Sequence, residues 1–419
     1  MDFGLVLIGS RALRRIVYIF HRLSLDKGGV YNAYACVMLD EVSIERQLQR
    51  EAAFEPPFCP RKKCSYHHPS KGRDRFWRKH GMMVLKRFPY AAQRFQCLAC
   101  KATFSASLFR LHYRQKVWGL NFEIFRLRRN GATKRGISRE IHRSERLVRT
   151  RFRNMARWAE LKHAKLIEEL KIEEPVVYDG LENFAFSQYD PNNINHAVGK
   201  RSLFVYDFNL APLNRKGRMT EWQKRKKGDL EREHGKYPTD AIRTTTRAIF
   251  NRLLERCPKG LTLYTDDHFQ YRRVVNIDLH EEKPITHLRT SSKVHRNFHN
   301  PLFAVNNIDL QARQNVSSFQ RETISFSKHE ISMQDDFLLY AVQRNYMRPK
   351  FWGTHRSDPQ CSQRSPAMEL KITDKIWSFE EFFQERVMPT HVKLNEDARA
   401  RYERRCCFSR RTIANVSAF

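Results

Sequence analysis

Two close cysteine couples, Cys59-x4-Cys64 and Cys97-x2-Cys100, constrain this chain more than any other feature. Each couple fits on one tight turn, and four thiolates delivered by two turns are the ligand set of a tetrahedral structural Zn2+. The expected zinc ligands are therefore Cys59, Cys64, Cys97 and Cys100. Ser65-Tyr66-His67-His68 follows Cys64 at once, so a histidine could stand in for that thiolate with the geometry kept. Arg94 to Ser105 alternates around the second couple as a ribbon hairpin does. Unrelated buried thiols have no reason to recur at ligand spacing, and a zinc ribbon is expected over residues 55–108.

The charge balance points to the partner. The 419 residues carry 77 Lys+Arg against 45 Asp+Glu, a formal net charge of +32. That excess is far beyond what solubility needs, and a polyanion such as nucleic acid is its simplest reason. With 41% hydrophobic and 12% aromatic residues the chain can pack cores, which excludes a disordered basic tail.

Nine cysteines are an odd number, and those outside the metal set (Cys36, Cys257, Cys361, Cys406, Cys407) are scattered, unlike a disulfide framework. A reducing, cytoplasmic setting follows. Arg11, Arg14 and Arg15 interrupt the apolar runs of the first 22 residues, so neither a membrane span nor a signal core is expected there. Residues 1–54 form an extension of unknown role, in which Met38 is an alternative expected start.

Beyond the ribbon, the pattern over 113–160 predicts three helices. The first runs from Tyr113 to Arg129 and stops at Asn130-Gly131; the second covers Thr133 to Ile141; the third starts at Glu145 and reaches about Glu160. In the third, Leu147, Val148, Phe152, Met155 and Trp158 are expected to pack while Arg146, Arg149, Arg151 and Arg153 face out. A short helix, a tight turn and an arginine-rich helix make a helix-turn-helix pattern, whose second helix lies in the DNA major groove.

The periodicity then changes. Pro175-Val176-Val177-Tyr178-Asp179 reads as a buried strand ending in a carboxylate, and Leu261-Thr262-Leu263-Tyr264-Thr265-Asp266-Asp267 repeats the device. Between them come one or two strands within 195–211, a very basic insertion over 213–238 that includes Lys226 and Lys227, and a helix from Thr239 to Cys257 with Ile242, Ile249, Phe250, Leu253 and Leu254 on one stripe. Two carboxylates at the ends of neighbouring buried strands suit Mg2+, which takes one or two protein carboxylates beside substrate phosphates. Asp207 reads as a turn former, Asp267 as a turn residue beside the site, and Glu182 as an exposed loop acid. His295 and His299 read as phosphate contacts or a solvated loop, and Phe337, Leu338, Tyr340, Ala341 and Val342 as a core helix. There are no internal repeats and no low-complexity runs.

The block VNNIDLQARQNVSSFQRETISFSK, Val305 to Lys328, resembles the last catalytic block of bacterial insertion-sequence transposases with an N-terminal zinc ribbon. Arg321 to Lys328 is its most distinctive part. VVYDGLENF and LYTDDHFQY look like the first two blocks, so the resemblance covers residues 55–350 in a consistent order. It implies an α/β multidomain chain: zinc ribbon, helix-turn-helix, then a ribonuclease-H-like mixed-sheet catalytic domain over 175–350. It also implies an Asp, Asp, Glu or Asp, Asp, Asn triad with catalytic Mg2+ or Mn2+, here Asp179, Asp266 and Asn306, with the two aspartates as Mg2+ ligands. Arg313, two turns beyond Asn306, is the implied DNA-holding residue. The departure is Asn306, whose amide oxygen can coordinate Mg2+ but carries no charge. A working Asp, Asp, Asn site, a site completed by Asp309 one turn on, and an inactive copy all stay open; the first is preferred because the block around it is well formed.

The implied activity is metal-dependent DNA cleavage and strand transfer on double-stranded DNA, with Arg146, Arg149, Arg153, Lys226 and Lys227 on phosphates and the protein associated with the nucleoid. Cutting two ends implies a homodimer or larger assembly. A rival is a non-catalytic zinc-ribbon and helix-turn-helix protein derived from a decayed transposase. In residues 351–419 one amphipathic helix is expected, from Ser378 to Glu385.

Overall fold

In the computed structural model the chain divides into two compact units, Met1–Trp118 and Gly119–Phe419. Residues 53–68, 75–84, 91–115, 117, 119–279, 284–352 and 360–405 are described. Cys36, Met38, Cys406 and Cys407, and all but the last two residues of the 1–54 extension, lie outside them.

The first unit holds a three-stranded antiparallel sheet in the order β1 (Trp77–Val84), β2 (Ala91–Cys97), β3 (Thr103–Ser105). Trp77 pairs with Cys97 and Phe95 with Phe104. The register slips between Lys79 and Met82, where Gly81 takes φ +75°, a conformation that costs glycine little. Phe58, Phe95 and Phe109 are buried around this sheet. Such a small unit buries little apolar area, so the nearby thiols matter to its stability.

The second unit opens with α1 (Leu120–Arg129), α2 (Lys134–Glu140) and α3 (Glu145–Leu166). Gly119, at φ +83°, stands before α1 and delays its start from the expected Tyr113 to Leu120. Thr133 and Ser144 cap the next two helices: their hydroxyls accept from Gly136 N and Leu147 N at 2.9 and 3.3 Å. Val148, Phe152 and Met155 pack inward as expected. Arg151 does not face out: it is buried, and burial lowers its pKa to about 10.

A five-stranded mixed sheet follows, in the order β6-β5-β4-β7-β8, with β4 Val176–Phe184, β5 Pro191–Gly199, β6 Val205–Pro212, β7 Leu261–Asp266 and β8 Ile285–Thr290. β5 runs antiparallel to both β4 and β6, whereas β4, β7 and β8 are mutually parallel. Helix α4 (Glu221–His234) lies within the basic insertion and α5 (Ala241–Arg256) connects β6 to β7. Ile249, Phe250, Leu253 and Leu254 are buried on α5 as the stripe predicts. Helices α6 (Phe303–Asn315) and α7 (Glu330–Tyr346) complete the body. The whole second unit is mixed α/β.

The C-terminal segment is fastened to this body. The expected helix from Ser378 to Glu385 lasts only one turn, Phe379–Phe382; Pro389 soon follows and disfavours helix in the residue before it. Helix α8 (Glu396–Glu403) carries Arg401, whose Nε and NH2 donate to Glu160 of α3 at 2.8 and 2.9 Å. Arg404 donates to Asp335 of α7 at 2.7 and 2.9 Å. Asp207 is ion-paired to Arg252 and is therefore more than a turn former.

Candidate functional site

The four cysteines meet. Cys59 Sγ lies 3.6 Å from Cys100 Sγ, Cys64 Sγ lies 3.7 Å from Cys97 Sγ, and all four sulfurs fall within 4.8 Å of one another. Four Zn–S bonds of about 2.3 Å in a tetrahedron put sulfurs about 3.8 Å apart, so the set fits a metal such as zinc. Burial pushes the Cys59 and Cys97 thiols up. Burial also acts against ionisation of Cys100, but the Ala102 N–H and the three other thiols outweigh it and bring Cys100 down to about 7. Cys64 takes its place among the thiols; His67 Nδ1 lies 2.7 Å from the Cys59 carbonyl oxygen, where it donates, and this tethers the first turn.

The acidic site lies in the second unit. Asp179 sits in the middle of β4, not at its end, because the strand continues to Phe184. Asp266 is the last residue of the parallel neighbour β7. Gly180 follows Asp179, and a Cβ there would meet the Asn193 side chain at 1.9 Å; only glycine allows β4 and the asparagine of β5 to approach so closely. Asp179 Oδ1 accepts from Gly180 N at 2.7 Å, and Asp266 Oδ1 accepts from His268 N at 3.0 Å.

Burial, then the charges of Asp309 and Asp266, push the Asp179 carboxyl up to about 7. His196 opposes part of this rise, and a bound cation would oppose the rest. Asp179 faces His196 across the β4–β5 ladder. His196 is fully buried, its Nδ1 lies 3.1 Å from Ile194 O, and its Nε2 lies 3.2 Å from Asp309 Oδ1. The structure thus gathers Asp179, Asp266, Asp309 and His196. Asn306 is on α6 with Asp309, one turn nearer its start, and its side chain is half-buried.

The remaining expected residues fall as follows. Arg313 donates from NH1 to Phe319 O at 3.0 Å and from NH2 to Glu182 O at 3.2 Å, so it braces the loop after α6 against β4. Asp267 is exposed and paired with Arg289 at 2.8 Å. Arg146, Arg149 and Arg153 are exposed on α3, with Arg149 NH2 held 2.6 Å from Glu145. On α4 Lys226 is exposed, whereas Lys227 is half-buried and lies 3.2 Å from Glu231. Helix α4 also presents Trp222, 65% exposed beside Lys224, Arg225 and Lys226. The base of this insertion is closed by Asn214 and Tyr237, which exchange hydrogen bonds of 2.8 and 3.0 Å. Lys216 lies near enough to His268 to act on its charge, which brings the insertion toward the acidic site.

Sequence reasoning passed over His196. It lies in a strand of mixed character, and only the register of β5 against β4 puts it opposite Asp179. Among the described residues no helix is long and apolar enough to cross a membrane. No protein-family model and no curated protein matches this chain.

Proposed function

We propose that the chain is a DNA transposase that binds the terminal inverted repeats of an insertion sequence and catalyses metal-dependent strand cleavage and strand transfer. The observation that carries this reading is the placement of Asp179 and Asp266 at equivalent positions of the parallel neighbours β4 and β7, directly after the paired Tyr178 and Thr265. A mixed five-stranded sheet with these acids on adjacent central strands supports the ribonuclease-H-like assignment of residues 175–350. The order α2, turn, α3 with exposed Arg146, Arg149 and Arg153 supports a helix-turn-helix, and the four thiols support a zinc ribbon.

In this reading Asp179 and Asp266 hold Mg2+ or Mn2+, with Asn306 offering its amide oxygen beside them. The ions would activate the attacking oxygen and stabilise the leaving one. Water first attacks a phosphodiester, forming one P–O bond as the bond to the 3′ oxygen breaks; the freed 3′ hydroxyl then attacks target DNA in the same sense. Arg313 fixes the α6–β4 spacing, and the basic face of α4 offers phosphate contacts.

The test is cleavage of DNA bearing the element's own ends, with Mg2+ or Mn2+, by the parent and by Asp179→Ala, Asp266→Ala and Asn306→Ala. Loss of cleavage in all three with DNA binding kept supports the transposase. Tight binding by the parent without cleavage replaces it with a non-catalytic DNA-binding protein derived from one.

A further inference from the structure

Helix α4 lies in the segment between β6 and α5, and that segment is built, not loose. Its base is closed by the Asn214–Tyr237 exchange, and the buried Tyr237 donates from its hydroxyl to Asp190 Oδ1 at 2.9 Å. Leu230 is the buried residue of the helix. Thr220 caps its start: the hydroxyl accepts from Gln223 N at 3.2 Å, and the Thr220 N–H donates to Gln223 Oε1 at 3.0 Å. Trp222 stands on this capped first turn.

The indole of Trp222 is 65% exposed, and no ring, cation or hydrogen-bonding group among the described residues engages it. Other tryptophans are engaged: the Arg75 guanidinium lies 3.6 Å over Trp77, and Trp377 stacks on Tyr346 at 5.9 Å. The cations of α4 divide in the same way. Lys224 pairs with Glu221 at 2.7 Å, Lys227 with Glu231 at 3.2 Å, and Arg232 with Asp229 at 2.5 Å. Arg225 and Lys226 are exposed and have no acidic partner among the described residues. They follow Trp222 by three and four positions, a spacing that shares one helix face. Helical side chains lean toward the helix start, so both cations are directed over the turn that carries the indole.

A free aromatic face beside two free cations matches the alternation of base and phosphate along one strand: the ring stacks on a base and the cations meet the adjoining phosphates. In a duplex the base faces are already stacked on one another, so an exposed indole gains only from a base out of its pair. We propose that Trp222, Arg225 and Lys226 form a binding site for unpaired nucleotides of a DNA strand. This rests on the reading of the chain as a DNA-binding protein and not on the reading of its acids. Every base has a face to stack, so the site selects an unpaired strand and not a sequence.

The test compares affinities of the full-length protein for three labelled probes: an oligothymidylate of about twelve nucleotides, an abasic sugar-phosphate strand of equal length, and a blunt duplex. Trp222→Ala should weaken oligothymidylate binding about tenfold and change the other two by less than about twofold, whereas Trp222→Phe, which keeps an aromatic face, should retain most of the affinity. Arg225→Ala combined with Lys226→Ala should weaken both single strands and lower their slope of log affinity against log salt by about 1.4; Trp222→Ala should leave that slope unchanged. Melting temperatures should match the parent's, since the replaced side chains are exposed. Equal losses from Trp222→Ala on all three probes, or no loss on any, overturn the proposal and leave the DNA-binding reading standing. A parent that binds the duplex but not oligothymidylate overturns it too. A parent that binds none of the three removes the DNA-binding reading and this proposal together. If Trp222→Ala alters sedimentation of the free protein and no probe affinity, the indole serves contact between copies and the proposal falls.

Discussion

Arg128 and Asp336, 208 residues apart in the chain, form a buried two-point ion pair: Arg128 Nε donates to Oδ1 at 2.9 Å and NH2 to Oδ2 at 2.6 Å. Arg128 also donates to the Ser317 and Ser318 hydroxyls at 2.6 and 3.1 Å, and Arg129 NH1 donates to the Asp336 carbonyl at 3.0 Å. The first helix after the unit boundary is thereby fixed to α7 and to the loop after α6. Burial pushes the Asp336 carboxyl up, but Arg128, Lys134 and Arg129 outweigh it and hold the group well below the usual carboxylate range.

Removing that carboxylate leaves the buried Arg128 and Arg129 and the half-buried Lys134 without their shared anion. Asp336→Asn is expected to destabilise the second unit by roughly 3–5 kcal/mol. Urea denaturation followed by tryptophan fluorescence measures it. A loss under 1 kcal/mol would mean that water reaches the cluster.

The sulfur spacing leads to an expectation about the first unit. Metal binding to such a site is coupled to folding, with apparent free energies of about 10–16 kcal/mol in small zinc domains. Elemental analysis should find one zinc per chain, and Cys64→Ser or Cys97→Ser should remove it. A chelator should unfold β1–β3, seen as proteolysis between Phe58 and Phe109. Full zinc in Cys64→Ser, lost only when His67 is also replaced, would return the histidine alternative.

How much of this could be read in advance depended on the range of the signal. The cysteine couples and the strands carrying Asp179 and Asp266 are local patterns, and the sequence shows them, although the first strand runs on past Asp179 to Phe184. The start of α1 was misplaced because apolar spacing upstream of Gly119 resembles helix, while the backbone at φ +83° interrupts it. Arg128, Arg129 and Arg151 look like solvated surface in sequence, since only the fold brings Asp336 to the first two. His196 and Asp309 became a pair through strand register and helix packing, neither of which residue spacing encodes.

Asp179 sets a pH dependence of the metal-free protein. Its carboxyl is raised to about 7 in the folded chain by burial and by Asp309 and Asp266, against about 3.9 when unfolded. Between these values the folded state keeps a proton that the unfolded state releases. Its contribution to stability is therefore full below about pH 4 and is lost as pH rises through about 7. The loss is on the order of 4 kcal/mol, with a slope of at most about 1.4 kcal/mol per pH unit. Urea midpoints from pH 4.5 to 7.5 in chelator should fall for the parent and stay flatter for Asp179→Asn. Parallel curves would mean that neither burial nor the neighbouring acids raise the Asp179 carboxyl.

The arginines of α3 differ in what engages them, and this bears on DNA affinity. Arg149 already lies 2.6 Å from Glu145, and the exposed Arg135 approaches the same acid at 3.7 Å. Each phosphate contact contributes about 0.9 to the slope of log affinity against log salt, because binding releases a condensed counterion. Arg146→Ala and Arg153→Ala should each lower that slope by about 1 and weaken binding to all DNA sequences alike. Arg149→Ala should have a smaller effect, since contact with a phosphate must first break its pair with Glu145, and Glu145→Ala should strengthen binding. Affinities for duplex DNA at four salt concentrations settle the order. An effect of Arg149→Ala as large as that of Arg146→Ala, with none for Glu145→Ala, would show that DNA takes Arg149 away from its acid at no cost.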